Sequence, residues 1–536
     1  MRHTLQVRRP SAAIRPALVA VLFALCTPLA VGCGGGTKKP TPKPVESAYD
    51  KTCRNQRAKR LAAETHKRYI PPEIILRRWP GFSTKNPAPQ VMSEEAMVEF
   101  LTEGKSRVML LVARGGTGKS KLAWSVVAQS CGRQPTAKID LNWDIAARLN
   151  EFSANPIETM AARALGAGEG DEPTAFLRKH TGKMRWLLLL DSLDEVPLTK
   201  RKKVVSAINE AMKRHDKLRA LILSRPPVYA GNYGLDNVDS FAELPPLSCE
   251  RTEKARRELL KDDAQRKTFA TFAARYGLDR KLKTDDGRCY YPHLATYRDF
   301  HVIKKLAESS AAADMSADGA DPSRGARARM YELYLTILLI KDLQTVDLLP
   351  KKGLAVIDAM IVKSKPDDGD RNVGFTIDGC VDVMEGRDGD HKRSRCERLL
   401  RSSLFVPAAT KGNFKLRNQT LYDLFLARWA DAQVEHGAPD PCKRLRSHAR
   451  LFESNEVAGF LAGLPGGQKC LVAVATELCT NGGFAEHNHE QLDQGLPTGP
   501  RRKNIIDEAR DLADKHREGP EDMCVASVLD RLFKGK

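Results

Sequence analysis

Aromatic residues make up only 6% of this 536-residue chain. That is too few, and too scattered, to lay out a stacking platform for single-stranded nucleic acid. No Cys-x-x-Cys pair occurs among its 12 cysteines, which excludes the paired-cysteine metal motifs. Cys470, Cys479, His487 and His489 gather loosely, but their spacing is not a familiar zinc spacing. No segment repeats at solenoid or propeller spacing. The uncharged run near the N-terminus, residues 17–32, is 16 residues long, short of the ~20 a bilayer span needs. What is present is an ordinary globular balance, 42% hydrophobic and 29% charged, which excludes wholesale disorder. At roughly 100–200 residues per domain the length predicts about three or four domains. The 87 Lys and Arg exceed the 67 Asp and Glu, for a net charge of +20. Such a balance attracts phosphate-rich partners, nucleic acid among them, or an anionic membrane surface. The basic residues are scattered, which equally describes a solvated basic surface.

The first sixteen residues hold Arg2, Arg8, Arg9 and Arg15 and no acid. A basic start followed by a short apolar run describes a secretory signal. Its end, Leu29-Ala30-Val31-Gly32-Cys33, resembles a bacterial lipobox. That resemblance implies lipidation of Cys33 and a membrane-anchored lipoprotein, although Ala30 stands where Leu is commoner. Residues 34–60 then read as a flexible, basic linker. An uncleaved membrane helix and a mis-assigned start codon are the alternatives. Arg2, Arg8, Arg9 and Arg15 on one side match Lys38, Lys39, Lys43 and Lys51 on the other, so charge does not choose the side of the membrane. Export permits disulfides among the ten remaining cysteines, and buried free thiols are the other reading.

Composition divides the rest. Residues 61–106 read as a helical segment with a proline-rich break. Residues 107–248 alternate short apolar runs with amphipathic stretches, the pattern of a parallel sheet flanked by helices. Residues 249–345 read as helical, interrupted by a low-complexity loop at 309–326. Residues 346–430 are mixed, and 431–536 read as helical with glycine-rich turns.

The chemistry concentrates in 107–248. The buried-strand run at 108–112 leads into Ala113-Arg114-Gly115-Gly116-Thr117-Gly118-Lys119-Ser120 and then an amphipathic helix. This is the P-loop pattern with Ala113 in place of its first glycine. Small residues let backbone N–H groups wrap phosphates at a helix N-terminus whose dipole favours anions. Lys119 is placed to reach the β- and γ-phosphates and Ser120 to bind Mg²⁺. About seventy residues on, Trp186-Leu187-Leu188-Leu189-Leu190-Asp191-Ser192-Leu193-Asp194-Glu195 reads as a central parallel strand buried on both faces. Asp191 at its tip suits a Mg²⁺ ligand. Glu195, or else Asp194, suits the base that orients or deprotonates water. Residues 199–214 form an amphipathic helix, and residues 218–223 a further strand ending in Ser224-Arg225-Pro226. Ligands bind at the carboxyl ends of such strands, so Arg225 is a candidate γ-phosphate sensor. The expected fold is an α/β P-loop NTPase with ATP or ADP and Mg²⁺ as cofactors.

These motifs meet a family. The segment LLLLDSLDEVP resembles the extended acidic-strand motif of NACHT proteins, a branch of the STAND signalling NTPases. The segments ILSRPP and FAELPPLS resemble the two strands that follow it. The segments RARMYELYLTILLIKD and FKLRNQTLYDLFLAR are similar to the family's post-NTPase helix and its winged-helix signature. Residues 68–74 resemble the stretch that precedes such modules. The resemblance spans about 60–460. It implies a nucleotide-operated switch: closed with ADP, opened by a stimulus and ATP into a homo-oligomer, and reset by slow hydrolysis. It also implies a winged-helix-like region at 346–430 whose Asn418 stands where the family usually has a phosphate-contacting His. Asn can donate a hydrogen bond but carries no charge. The family's adenine-side helix has no clear counterpart, since 295–302 is polar. No effector domain or repeat array is evident, and no protein partner can be named. Two other readings remain open: a remodelling or nucleic-acid-stimulated ATPase, and a non-enzymatic lipoprotein that uses the fold as a binding module.

Overall fold

The period-2 alternation of three apolar runs builds the centre of a sheet with helices on both faces. In a computed structural model these runs are β3 (Val108–Val112), β5 (Trp186–Asp191) and β6 (Leu218–Ser224), every residue buried. Val108, Leu110, Trp186, Leu188, Leu190, Ala220 and Ile222 join the core on one face. Met109, Leu111, Leu187, Leu189, Leu221 and Leu223 join the core on the other. The structure describes residues 71–77, 90–104, 106–130, 133–225, 238–260, 262–309, 325–343, 348–363, 374–408, 412–435, 455–480 and 500–514, apart from short gaps within these ranges, with a few isolated positions besides. The apolar run at 17–32, Cys33 and nearly all of the 34–60 linker lie outside the described residues. Among the described residues no helix is long and apolar enough to cross a membrane.

Four more strands complete the sheet: β1 (Ile74–Arg77), β2 (Gln90–Met92), β4 (Thr136–Asp140) and β7 (Ser240–Glu243), in the order β2-β1-β7-β3-β6-β5-β4. The strands β7, β3, β6, β5 and β4 pair in parallel. Helices α1 (Glu94–Thr102) and α2 (Lys119–Ser130) cover one face. Helices α3 (Pro156–Ala164), α4 (Pro173–Thr181) and α5 (Leu198–Arg214) cover the other. One expectation is corrected here. Residues 61–106 are not simply helical: β1 and β2 add an antiparallel edge to the sheet through β7. Each strand is only four or three residues long, too short for alternation to register against the neighbouring prolines.

A second core follows, made almost wholly of helices. It contains α6 (Cys249–Leu259), α7 (Asp263–Arg275), α8 (Tyr297–Ala307) and α9 (Ala326–Leu343). The helical expectation for 249–345 is amended by a two-stranded hairpin, β8 (Leu282–Lys283) and β9 (Cys289–Tyr290). Next come α10 (Pro350–Lys363), α11 (Ile377–Val383), α12 (Gly389–Leu400) and α13 (Gln419–Glu435). With them stands a small antiparallel sheet of β10 (Phe375–Thr376), β12 (Asn413–Leu416) and β11 (Phe405–Pro407), a winged-helix-like arrangement. Helices α14 (Asn455–Ala462), α15 (Pro465–Lys469), α16 (Leu471–Thr480) and α17 (Pro500–Asp514) close the order.

The cysteines are used as crosslinks. Cys249 pairs with Cys289, Cys380 with Cys396, and Cys442 with Cys470, while Cys53 and Cys479 are disulfide-bonded as well. The Cys380–Cys396 bond ties α11 to α12 across a sequence separation of 16, and closing a loop of that order is worth about 3 kcal/mol in the chain-entropy account. Both thiols of the loose group at 470–489 are engaged in disulfides, while His487 and His489 lie outside the described residues.

Candidate phosphate-binding pocket

The loop between β3 and α2 is held at both ends. Ala113 N–H donates to Ser224 O at 3.1 Å, fastening the loop to the tip of β6. Thr117 Oγ1 donates to Arg114 O at 2.8 Å, and Lys119 Nζ donates to Arg114 O at 3.0 Å and to Ala113 O. Gly116 and Gly118 have φ of +83° and +103°, the left-handed region that a Cβ opposes. A Cβ at Gly116 would also meet Arg298 Cβ at 2.5 Å. The turn therefore needs glycine for both conformation and space.

These constraints frame a cavity of about 790 Å³ lined by Gly115, Gly116, Thr117, Gly118, Lys119 and Ser120 on one side and Asp191, Glu195 and Arg225 on the other. The residues picked from the P-loop, the acidic strand tip and the β6 tip thus converge on one space. Asn418, nearly two hundred positions after Arg225 in the chain, also lines it. Ala113 does not: it is buried at the foot of the loop, and its carbonyl accepts from Lys119. The volume suits a small-molecule site.

The acidic side divides its labour. The Asp191 Oδ1 atom accepts from Ser192 N–H at 3.0 Å, and Oδ2 pairs with Lys138 Nζ at 2.9 Å. Ser192 has φ of +66° and is the one non-glycine residue with positive φ among the described residues. Such a conformation costs about 1–3 kcal/mol, and here it turns the chain sharply from Asp191 into the 3₁₀ turn Leu193–Glu195. Arg201 clamps that turn by donating to the carbonyls of Asp194 and Val196. Asp194 is committed elsewhere. Its Oδ1 accepts from the Arg225 backbone N–H and its Oδ2 pairs with Arg225 Nε, each at 3.1 Å. Both candidate bases line the cavity, but Asp194 is engaged by Arg225 through both oxygens and is 8% exposed, whereas Glu195 is 28% exposed.

Burial, reinforced by the neighbouring Asp194, pushes the Glu195 carboxyl up to about 7 against the pull of Arg225. Burial pulls the Lys119 ammonium down to about 8, partly opposed by Asp194. Burial alone would lower the Arg225 guanidinium, but Asp423, Asp194 and Glu195 outweigh it and hold the group firmly charged.

Sequence reasoning missed three contributors. The polar stretch at 295–302 is the N-terminus of α8, and it docks on the P-loop: Arg298 N–H donates to Gly116 O at 3.3 Å, and Tyr297 and Arg298 line the cavity. The legible signal was Thr296 followed three positions later by Asp299, an N-cap pattern, with Asp299 N–H donating to Thr296 Oγ1 at 3.1 Å. Asp423 on α13 was not singled out. It is fully buried and pairs through Oδ2 with Arg225 Nη1 at 2.9 Å. Thr420 accepts from Arg298 and approaches Gly115. The N-terminal end of α13 thus sits directly on the P-loop and the β6 tip. Lys138 is the third.

No protein-family model matches the chain, and no curated protein matches it. Among solved structures, Drosophila ORC bound to DNA is similar at 11% identity and a TM-score of 0.29, covering 74% of this chain and 95% of that one. Cdc6p from Pyrobaculum aerophilum is similar at 11% identity and a TM-score of 0.23, covering 62% of this chain and 91% of that one.

Proposed function

We propose that this protein is a NACHT-like, ATP-binding switch NTPase with slow hydrolysis. The observation that carries this reading is the cavity that unites a P-loop, the acidic side chains of Asp191, Asp194 and Glu195 at and after a neighbouring strand tip, and Asn418 beside α13 of the winged-helix-like region. Backbone N–H groups and Lys119 bind the phosphates. Ser120 and Asp191 offer the hard oxygen donors that Mg²⁺ prefers. Held by Ser120 and Asp191, Mg²⁺ would supply positive charge against the phosphates of the nucleotide. Glu195 accepts the proton of the attacking water. Asn418 and Asp423 tie the nucleotide state to the seating of α13, so that a change at the γ-phosphate is felt in the C-terminal regions.

Anchoring at the membrane through Cys33, and a homo-oligomeric active form, belong to the same proposal. The disulfides support export, because such crosslinks persist in oxidising compartments.

The pH dependence of ATP hydrolysis tests the assignment. Glu195 must be ionised to accept a proton, so kcat/KM rises with pH through about 7. Lys119 must be protonated to hold phosphate, so kcat/KM falls again above about 8. Glu195→Gln removes the rising limb and lowers kcat by roughly 10²–10⁴-fold, while ATP still binds. A Glu195→Gln protein that keeps the acid limb and its turnover would move the base elsewhere.

A further inference from the structure

Lys138 lies in the middle of β4, opposite Leu189 of β5. Its neighbours Ala137 and Ile139 face the α3–α5 side. Alternation therefore sends Lys138 to the other face, the one covered by α2. Asp191 follows Leu187 and Leu189 onto that same face. The two side chains meet there, Nζ to Oδ2 at 2.9 Å, with only 10% and 4% of their side-chain surfaces exposed. The ring of Trp124, on α2, lies 5.4 Å from the Lys138 ammonium and adds a cation–π contact. With Ser192 N–H on the other oxygen, both Asp191 oxygens have a protein partner.

This is an unusual setting for a metal-binding carboxylate. A lysine ammonium carries one positive charge on a flexible stem and takes the same kind of contact with a carboxylate oxygen as a cation does. Two cations at contact distance from one oxygen repel each other in a site this dry. Asp140, two positions on along β4 and on the same face, caps the following turn, its Oδ1 accepting from the Asn142 and Trp143 N–H groups, which leaves Asp191 as the carboxylate that pairs with the ammonium.

We propose that Lys138 is a built-in counter-ion of Asp191 that competes with the divalent cation and lets the pocket take up nucleotide with little dependence on metal. The proposal rests on the nucleotide-binding reading above. Without metal, Lys138 cancels the charge that Asp191 would otherwise turn on an incoming triphosphate. With metal, the lysine must yield Oδ2, which weakens the advantage that Mg²⁺ confers. Lys138 is thus a positioning residue for the cation site.

The test is the ratio of the ATP dissociation constant in EDTA to that in saturating Mg²⁺, measured calorimetrically on the whole protein. Lys138→Met keeps the unbranched stem and removes the charge, and it should raise this ratio at least tenfold, about 1.4 kcal/mol. Lys138→Arg retains the charge and should keep the wild-type ratio. If Lys138→Met does not fold, Lys138→Gln carries the same expectation. Placed on an Asp191→Asn background, Lys138→Met should leave the ratio unchanged, because the coupled charge is gone. Equal ratios in the wild type and the neutral variants, with ATP bound by both, overturn this inference and leave the nucleotide reading standing. No ATP binding by the wild type in either condition overturns both.

Discussion

Arg225→Ala lowers the stability of the protein by about 3–5 kcal/mol, the range for removing one partner of a buried ion pair. The size follows from what the guanidinium holds. It pairs with Asp194 at 3.1 Å and Asp423 at 2.9 Å and lies 3.9 Å from Glu195. Asp423 is fully buried, so removal of the arginine leaves that carboxylate with no solvent to replace the lost charge. Chemical denaturation followed by circular dichroism measures the loss. Asp423→Asn separates the structural from the switching role. The amide still accepts a hydrogen bond from Arg225, yet the charge that draws α13 onto the β6 tip is gone. We expect a modest stability change and release of ADP accelerated at least tenfold, read from displacement of a fluorescent ADP analogue. An unchanged release rate would show that the Arg225–Asp423 contact holds the fold without gating the nucleotide.

Lys119→Ala removes ATP binding almost entirely. Hydrogen bonds to charged groups are worth about 1.5–3 kcal/mol each. A lysine reaching two phosphates loses two of them, about 3–6 kcal/mol or roughly 10²–10⁴-fold in affinity. The fold should survive. Among the described residues Lys119 Nζ hydrogen-bonds the carbonyls of Ala113 and Arg114, and Lys119 belongs to neither of the cores on the two faces of the sheet. A melting temperature near the wild-type value, alongside lost binding, distinguishes a missing phosphate ligand from a collapsed domain.

Where the chain declares its chemistry through composition, the fold was readable. The runs at 108–112 and 186–191 are so apolar that only strands buried on both faces accommodate them, and the turn residues after each placed Lys119 and Asp191 at one end of the sheet. What escaped was set by long-range packing. β1 owes its place to pairing with β7, and β2 to pairing with β1, contacts that local pattern does not encode. Asp423 reads as one of several polar residues along α13. Gln419 on the same helix donates to its Oδ1 at 3.3 Å, and the docking of α13 on the β6 tip adds Arg225. Lys138 stands at a polar position of an alternating strand, Thr136 to Asp140, which reads as an ordinary solvated face, and its meaning depends on the register that sets β4 beside β5. The disulfide pairs were equally hidden, since ten cysteines admit many connectivities and none is adjacent in sequence.

The central claim is that this cavity seats the phosphates of a nucleotide. Calorimetric titration of the purified protein with ATP in Mg²⁺ tests it most directly. The account predicts one saturable site per chain, lost in Lys119→Ala. Heat-silent titration to millimolar ATP, or binding that persists undiminished in Lys119→Ala, would contradict it.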